Sequence, residues 1–155
     1  MPYYKHFIFA LISTVGFSIL FNVPKRSIFY AGLTGGIGWT VYMYIKALTL
    51  SSSFSIFLAS IIVGVLGEIF ARIDKKPVTT FVIPGIVPLV PGYTMYLSMV
   101  NLINQEFYTA VKLGTEAVFT SGAISVGIII VTSVAKIIKI KKDPNIKAKE
   151  LSQES

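Results

Sequence analysis

The sequence has no cysteine and only one histidine, His6, among its 155 residues. Without cysteine there are no disulfide bonds, no thiolate nucleophiles and no cysteine-ligated metal sites. A single histidine near the N-terminus also argues against zinc sites built from several imidazoles and against Ser-His-Asp catalysis. We therefore predict that the chain is not an enzyme and that it needs no metal ion or other cofactor.

Charged residues are also scarce, since they make up 14% of the chain while hydrophobic residues make up 54%. The mean hydropathy is +0.73. An average soluble domain has about 25% charged and roughly 45–50% apolar residues. A water-soluble core of this size cannot bury so much apolar sequence. The composition predicts an integral membrane protein in the cell membrane.

The apolar residues fall into five blocks, which predict an all-α, polytopic membrane helix bundle. The predicted spans are residues 6–22, 27–45, 54–73, 78–103 and 115–138, within a transmembrane domain of residues 1–140. Residues 141–155 are polar, of mixed charge and without aromatic residues. We predict that they form a mobile cytoplasmic tail.

The basic residues lie at the edges of the apolar blocks and near the C-terminus. Five spans place Lys5, Lys46 and Lys112 on one side and the other eleven basic residues on the opposite side. Because lysine and arginine are retained in the cytoplasm, this split predicts an external N-terminus and a cytoplasmic C-terminus. A four-span arrangement with a re-entrant first block also fits the charges. In both arrangements the basic residues suit lipid headgroups better than nucleic acid.

The fourth block contains the segment FVIPGIVPLVPGYTMY, residues 81–96. A straight helix of 26 residues would be about 39 Å long, against a hydrocarbon core of about 30 Å. Three prolines within this segment predict a broken helix, with freed backbone groups near the bilayer midplane that need polar partners. Such a break lines the substrate cavity in many transporters. The predicted substrate-binding residues are Pro84, Gly85, Pro88, Pro91, Gly92, Tyr93 and Thr94. The alternative is a proline kink whose backbone groups are satisfied by serine and threonine of neighbouring helices.

Glu68 is the only carboxylate inside a predicted span that does not lie at an outer boundary. Intramembrane ionisable groups are usually functional, which makes Glu68 a candidate for proton coupling. Arg72 follows one helical turn later, in the favourable order for an ion pair at the membrane surface. Both interpretations stay open at this point.

Small residues form two stripes, which predict flat helix faces for close packing. The first comprises Gly32, Gly35, Gly36 and Gly38, and the second comprises Ser121, Gly122, Ser125 and Gly127. A single unit of five helices is not expected to cover both stripes. We therefore predict a second membrane protein as a partner, and self-association of the chain is a further possibility.

Four motifs occur in a characteristic order: GFSILFNVPKR, GLTGGIGW, GEIFAR and IPGIVPLVPGYTMY. With them the chain, from about Val15 to at least Tyr96, resembles the small subunit of the threonine/serine exporter family. The family's loop motif is matched at Asn22, Val23 and Pro24, and its proline motif at Pro84, Gly85, Pro88, Pro91 and Gly92. The resemblance implies a secondary exporter of small polar solutes, namely threonine and serine or dicarboxylates such as succinate. It also implies a larger membrane subunit that acts with this chain.

A non-transporting membrane scaffold that stabilises a partner protein is the alternative function. The two functions differ in what they predict for the proline motif. A scaffold tolerates substitutions of Tyr93 or Thr94 that leave assembly intact, whereas an exporter loses transport flux with the same substitutions.

Overall fold

A computed structural model describes residues 3–49 and 51–142, and these residues contain helices and no strand. The elements are α1 (Tyr3–Leu20), α2 (Lys25–Thr49), α3 (Ser52–Asp74), α4 (Thr79–Ile86), a 3₁₀ turn (Val87–Leu89), α5 (Gly92–Ile103) and α6 (Phe107–Lys142). The predicted all-α membrane helix bundle is therefore confirmed as a fold class. Of the predicted polar tail, residues 143–155 lie outside the described residues, and the first two continue α6.

Residues in the left-handed conformation follow three of the helices. Asn22 follows α1 with φ 54°, Lys75 follows α3 with φ 54°, and Gln105 follows α5 with φ 64°. Such residues end a helix because they turn the chain away from the helical path. Pro24 and Pro77 come shortly afterwards, where a missing N–H costs nothing at the start of the next segment.

The first three predicted spans coincide with α1, α2 and α3 apart from their ends. Helix α6 begins at Phe107, before the predicted fifth span of residues 115–138, and its additional first residues include Lys112. A helix that extends beyond the hydrocarbon accepts such residues, and about 54 Å of helix in 36 residues exceeds a core of about 30 Å.

The predicted break in the fourth span is present. The segment before it, Thr79–Leu89, and the segment after it, Gly92–Ile103, are bent by 47° relative to each other. Pro84 lies inside α4, and Pro88 lies in the 3₁₀ turn. Each proline lacks the N–H that would continue the helical bonding, which explains why the helix tightens and then stops here.

Two described helices are long and apolar enough to cross a membrane alone: α3, and α6 over Phe107–Lys139. The bent pair makes a third span if it is counted as one. Helix α1 is apolar but shorter, and α2 is long but diluted by glycine, threonine and basic residues. The number of five spans stays a prediction.

Helix α2 lies at the centre and contacts α1, α3, α4 and the 3₁₀ turn. Its glycines permit this, because Thr14 of α1 packs where Gly35 lacks a side chain and Val63 of α3 does the same at Gly38. Helix α6 packs on α3 with Gly127 beside Ser60. The glycine stripe of α2 is thus covered within the chain, by side chains of α1 and α3.

Many of the buried side chains are small or carry a hydroxyl, beside larger apolar ones such as Phe81 and Leu89, and many other large apolar side chains face outward. Thr14, Ser18, Thr34 and Ser60 are completely buried. Each donates its hydroxyl to a carbonyl of its own helix, three or four residues earlier. This distribution is the one expected when lipid is the solvent, because apolar surface gains little by leaving lipid and small residues allow close helix packing.

Candidate functional site

The fourth span changes its packing partners at the break. Before the break, Gly85 lies against Thr34 of α2 and Val63 of α3, and a Cβ added to Gly85 would be 2.8 Å from Thr34 Cγ2. After the break, α5 packs on α6, where Ser98 Oγ donates a 2.7 Å hydrogen bond to the carbonyl of Ala110. The break therefore separates a segment fixed in the bundle from a segment held by one helix.

The backbone at the break is only partly hydrogen-bonded. The N–H of Val90 donates to the carbonyl of Ile86 at 3.2 Å, and the N–H of Gly92 donates to that of Val90 at 2.7 Å. Pro88 and Pro91 have no N–H to donate, and no side chain caps the N-terminus of α5. In the first turn of α5, the N–H of Met95 donates to the carbonyl of Pro91 at 3.0 Å. The N–H groups of Tyr93 and Thr94 have no acceptor within their own helix, and they are the donors that this helix start offers to a polar solute or water.

The seven predicted substrate-binding residues fall into two groups. Pro84 and Gly85 are buried in the bundle, where Gly85 makes the close approach to α2 and α3. The other five lie at or near the surface: Pro88, Pro91 and Thr94 are half-buried, and Gly92 and Tyr93 are exposed. No heavy atom lies within 4 Å of a Cβ built on Gly92. The inner group has a packing role in the chain, and the outer group is accessible.

The loop between α1 and α2 forms a groove with the start of α4. The groove has a volume of about 230 Å³ and is lined by Phe21, Asn22, Val23, Pro24, Thr79, Thr80, Ile83 and Pro84. It brings together the loop motif and the beginning of the proline motif, which are far apart in the sequence. Both motifs are visible in the sequence, but the sequence does not show that they lie close together in space.

A pocket of about 780 Å³ lies between the end of α3, the turn that follows it and the second half of α6. Glu68 and Arg72 line it, and their side chains form an ion pair with Arg72 Nη2 3.8 Å from Glu68 Oε2. The Glu68 side chain is 18% exposed and that of Arg72 is 62% exposed. The ion pair expected from the spacing is therefore present. Glu68 also faces the pocket, so its coupling role stays a prediction.

Sequence analysis did not single out Asp74, the last residue of α3. The Asp74 side chain is only 4% exposed. Its carboxylate accepts a hydrogen bond from Ser27 Oγ and lies 3.6 Å from Arg26 Nε, so it joins α3 to the start of α2. The sequence gives no signal for this contact, because the partners are 47 residues apart.

A metal site is not formed by the described residues. No three histidine, aspartate or glutamate side chains gather there where they could hold an ion. The chemistry available in residues 3–49 and 51–142 is that of hydroxyls, backbone amides, isolated carboxylates and a group of cations at one end of the bundle.

Comparison with known proteins identifies the family. The family model described as threonine/serine exporter, ThrE, matches residues 6–134. No solved structure matches the chain. Because the match covers most of the sequence, the chain belongs to the threonine/serine exporter family.

Proposed function

We propose that this member of the threonine/serine exporter family is one membrane subunit of a secondary exporter, and that it acts with a larger membrane subunit. Its solutes are small and polar: threonine and serine, with small dicarboxylates such as succinate as a second class. The proposed orientation has the N-terminus outside and the C-terminus in the cytoplasm.

The observation that carries the proposal is the break between Val87 and Gly92. An open helix start within a span is costly in lipid unless a polar group meets it, at several kcal/mol for each unsatisfied backbone group. The positive end of the α5 dipole favours a carboxylate at this point. Amino acids and dicarboxylates both carry one, and the Thr94 hydroxyl next to the helix start adds a hydrogen-bonding group.

The two-part packing of the fourth span supports a moving element. Helix α4 is held by α2 and α3, and α5 has no buried residue and packs mainly on α6. A rearrangement of α5 about the break would open the site to one side while α6 stays packed on α3 through Gly127 and Ser60. Alternating access requires such a rearrangement of one part against another.

The location of the cations supports the proposed orientation. Arg72, Lys76, Lys136 and Lys139 all line the same pocket, and Arg26 contacts Asp74 at the end of α3. These residues therefore occupy one end of the bundle, and a basic end is retained in the cytoplasm.

A partner is supported by the small-residue stripe of α6. Gly122 has nothing within 4 Å of an added Cβ, and Ser121 and Ser125 are exposed. Exposed apolar side chains need no cover in lipid, whereas small residues let another helix approach closely, so we propose that this stripe packs against a helix of the larger subunit.

Threonine export from cells that express both subunits tests the proposal. Gly92→Leu introduces a side chain where the structure has open space, so the protein is expected to reach the membrane but to export threonine at background rate. Gly16→Leu is the matched control, because Gly16 also has nothing within 4 Å of an added Cβ. Wild-type export by Pro91→Ala, Gly92→Leu and Thr94→Val variants at normal expression would instead identify a scaffold with a structural kink.

A further inference from the structure

Helix α4 lies between the basic end of the bundle and the break. Pro77 and Val78, which come directly before it, line the pocket at the basic end, and Val87 directly after it begins the 3₁₀ turn. The helix packs against α2 and α3, and its residues Phe81 and Val82 are buried there. Helix α4 therefore fills the direct route inside this chain from the basic end to the open start of α5.

Three aromatic rings meet where α4 sits between α2 and α3. Phe81 of α4 is completely buried. Its ring centroid lies 6.5 Å from that of Tyr30 in α2 and 6.3 Å from that of Phe70 in α3. The Tyr30 and Phe70 rings are themselves 5.1 Å apart. Phe81 thus closes the gap between α2 and α3 in this structure.

Polar contacts tie α2 to α3 but leave α4 untied. Ser27 of α2 donates a hydrogen bond to Asp74 of α3 at the basic end. The hydroxyls of Thr49 and Ser55 lie 3.2 Å apart in a hydrogen bond at the opposite end of these two helices. In the described part of the chain, no side chain of α4 makes a hydrogen bond or an ion pair with another element. Because helix packing in lipid lacks a hydrophobic driving force, α2 and α3 form a fixed frame and α4 is the element held by packing alone.

Both ends of α4 have the features of a hinge. Lys75 in the left-handed conformation and Pro77 come before the helix, and Pro88 and Pro91 come after it. Hinges are a few residues at the ends of an element that absorb changes in backbone angles. The prolines have no N–H, so rotation about these two segments breaks few backbone hydrogen bonds.

Helix α4 touches the α2–α3 frame across glycines. Gly67 of α3 lies opposite Val82, and Gly85 of α4 lies opposite Thr34 of α2. A glycine leaves a shallow surface without interlocking side chains, which suits the small sliding movements of packed helices.

We propose that α4 is the cytoplasmic gate of the exporter and that Phe81 is the residue that closes it. This inference rests on the proposed function, in which the basic end faces the cytoplasm and the solute binds at the break. Alternating access needs one opening on each side of the site. Movement of α5 provides the outer opening only, because α5 lies beyond the break, whereas movement of α4 out of the α2–α3 frame connects the site with the cytoplasm. With Phe81 buried, the structure corresponds to the state that is closed to the cytoplasm.

Reversible disulfide bonds test the gate, because the chain has no cysteine of its own. Gly67→Cys with Val82→Cys would join α3 to α4, since a Cβ on Gly67 lies 3.7 Å from that of Val82. This distance is close to the mean of about 3.8 Å between the Cβ atoms of a disulfide. The matched control, Gly38→Cys with Val63→Cys, would join α2 to α3 within the frame, where the corresponding distance is 3.9 Å.

Threonine export is then measured with the larger subunit present. We expect oxidation to reduce export by the α3–α4 pair to background and a reductant to restore it, while the control pair exports equally in both states. Export by the oxidised α3–α4 pair at its reduced rate would overturn the gate and leave the proposed function standing. Equal losses in both oxidised pairs would also overturn it, because the α2–α3 frame would then have to move.

A labelling experiment tests the gate without relying on transport. A membrane-impermeant maleimide is added to inside-out vesicles whose chain carries Val82→Cys or Thr14→Cys as its single cysteine. Both positions are buried, but Val82 faces the frame from α4, whereas Thr14 faces α2 from α1. We expect Val82→Cys to be labelled several-fold faster than Thr14→Cys. Equal protection of the two positions would overturn the gate, whether or not the variants export threonine.

Discussion

Asp74, the last residue of α3, accepts a hydrogen bond from Ser27 in the first turn of α2. Ser27 is completely buried, and the Asp74 side chain is 4% exposed. The carboxylate lies near the N-terminus of α2, where the helix dipole favours negative charge. A buried carboxylate without such partners would be strongly destabilising, so the pair fixes how α2 and α3 meet at the basic end.

The Ser27–Asp74 contact predicts a loss of stability on substitution. Asp74→Ala should lower the free energy of unfolding by about 1.5–3 kcal/mol, because it leaves the buried hydroxyl without its charged partner. Arg26→Gln should cost less than about 1 kcal/mol, since the Arg26 side chain is 89% exposed and water screens its ion pair. Unfolding titrations in detergent measure both values. Additive effects of Ser27→Ala and Asp74→Ala in a double-mutant cycle would contradict the contact.

Two glycines of α6 predict opposite outcomes for the same substitution. A Cβ on Gly127 would overlap Ser60 Oγ and lie 3.1 Å from the carbonyl oxygen of Phe57, so Gly127→Ala should lower the free energy of unfolding by about 1–3 kcal/mol. Gly122 has no atom within 4 Å, and Gly122→Ala should be neutral or stabilising by up to about 1 kcal/mol. Equal thermal stability of the two variants would show that α6 does not pack on α3 in this register.

Local features of this fold could be predicted from the sequence. Pro84, Pro88 and Pro91 act on the backbone within their own segment, and the break is therefore visible in the order of residues. The Glu68–Arg72 ion pair was likewise predicted from the four-residue spacing on a helix, and the structure contains it.

Contacts between distant segments could not be predicted. Asp74 pairs with Ser27, and Lys76 shares a pocket with Lys136, only because three helix ends meet in space. The glycines of α2 indicated close packing, but periodicity alone does not tell a neighbour in the same chain from one in another subunit. Only the tertiary structure shows that α1 and α3 cover the glycine face of α2.

Glu68 and Arg72 give a prediction about proton coupling. Glu68→Gln should weaken the dependence of export on the proton gradient, because the amide cannot exchange a proton. Arg72→Ala should leave that dependence largely intact, since an ion pair with a 62% exposed arginine contributes little. Threonine efflux from vesicles with and without an imposed pH gradient measures both. Equal losses in the two variants would assign the effect to the ion pair and not to a proton carried by Glu68.

Substitution of Thr94 should change the affinity for the exported solute without changing assembly with the partner. Thr94→Val keeps the shape of a half-buried side chain and removes the hydroxyl next to the open start of α5. We expect the apparent KM for threonine export to rise several-fold, in line with the roughly 0.5–1.5 kcal/mol of one hydrogen bond. Thr94→Ser should keep the wild-type KM because it keeps the hydroxyl. A KM unchanged in Thr94→Val would remove this residue from the substrate site.

Single cysteines can test the predicted topology directly, because the chain has none of its own. With five spans, a membrane-impermeant maleimide should label Lys46→Cys and Lys112→Cys from outside, and Lys139→Cys only after the membrane is opened. Lys5→Cys decides between five and four spans. Phe7 packs on Gly36, and nearby Gly38 lies against Val63 in the middle of α3, so the start of α1 lies beside the middle of α2. We expect external labelling of Lys5→Cys that is slower than that of Lys46→Cys, and labelling from the cytoplasmic side would establish a re-entrant α1.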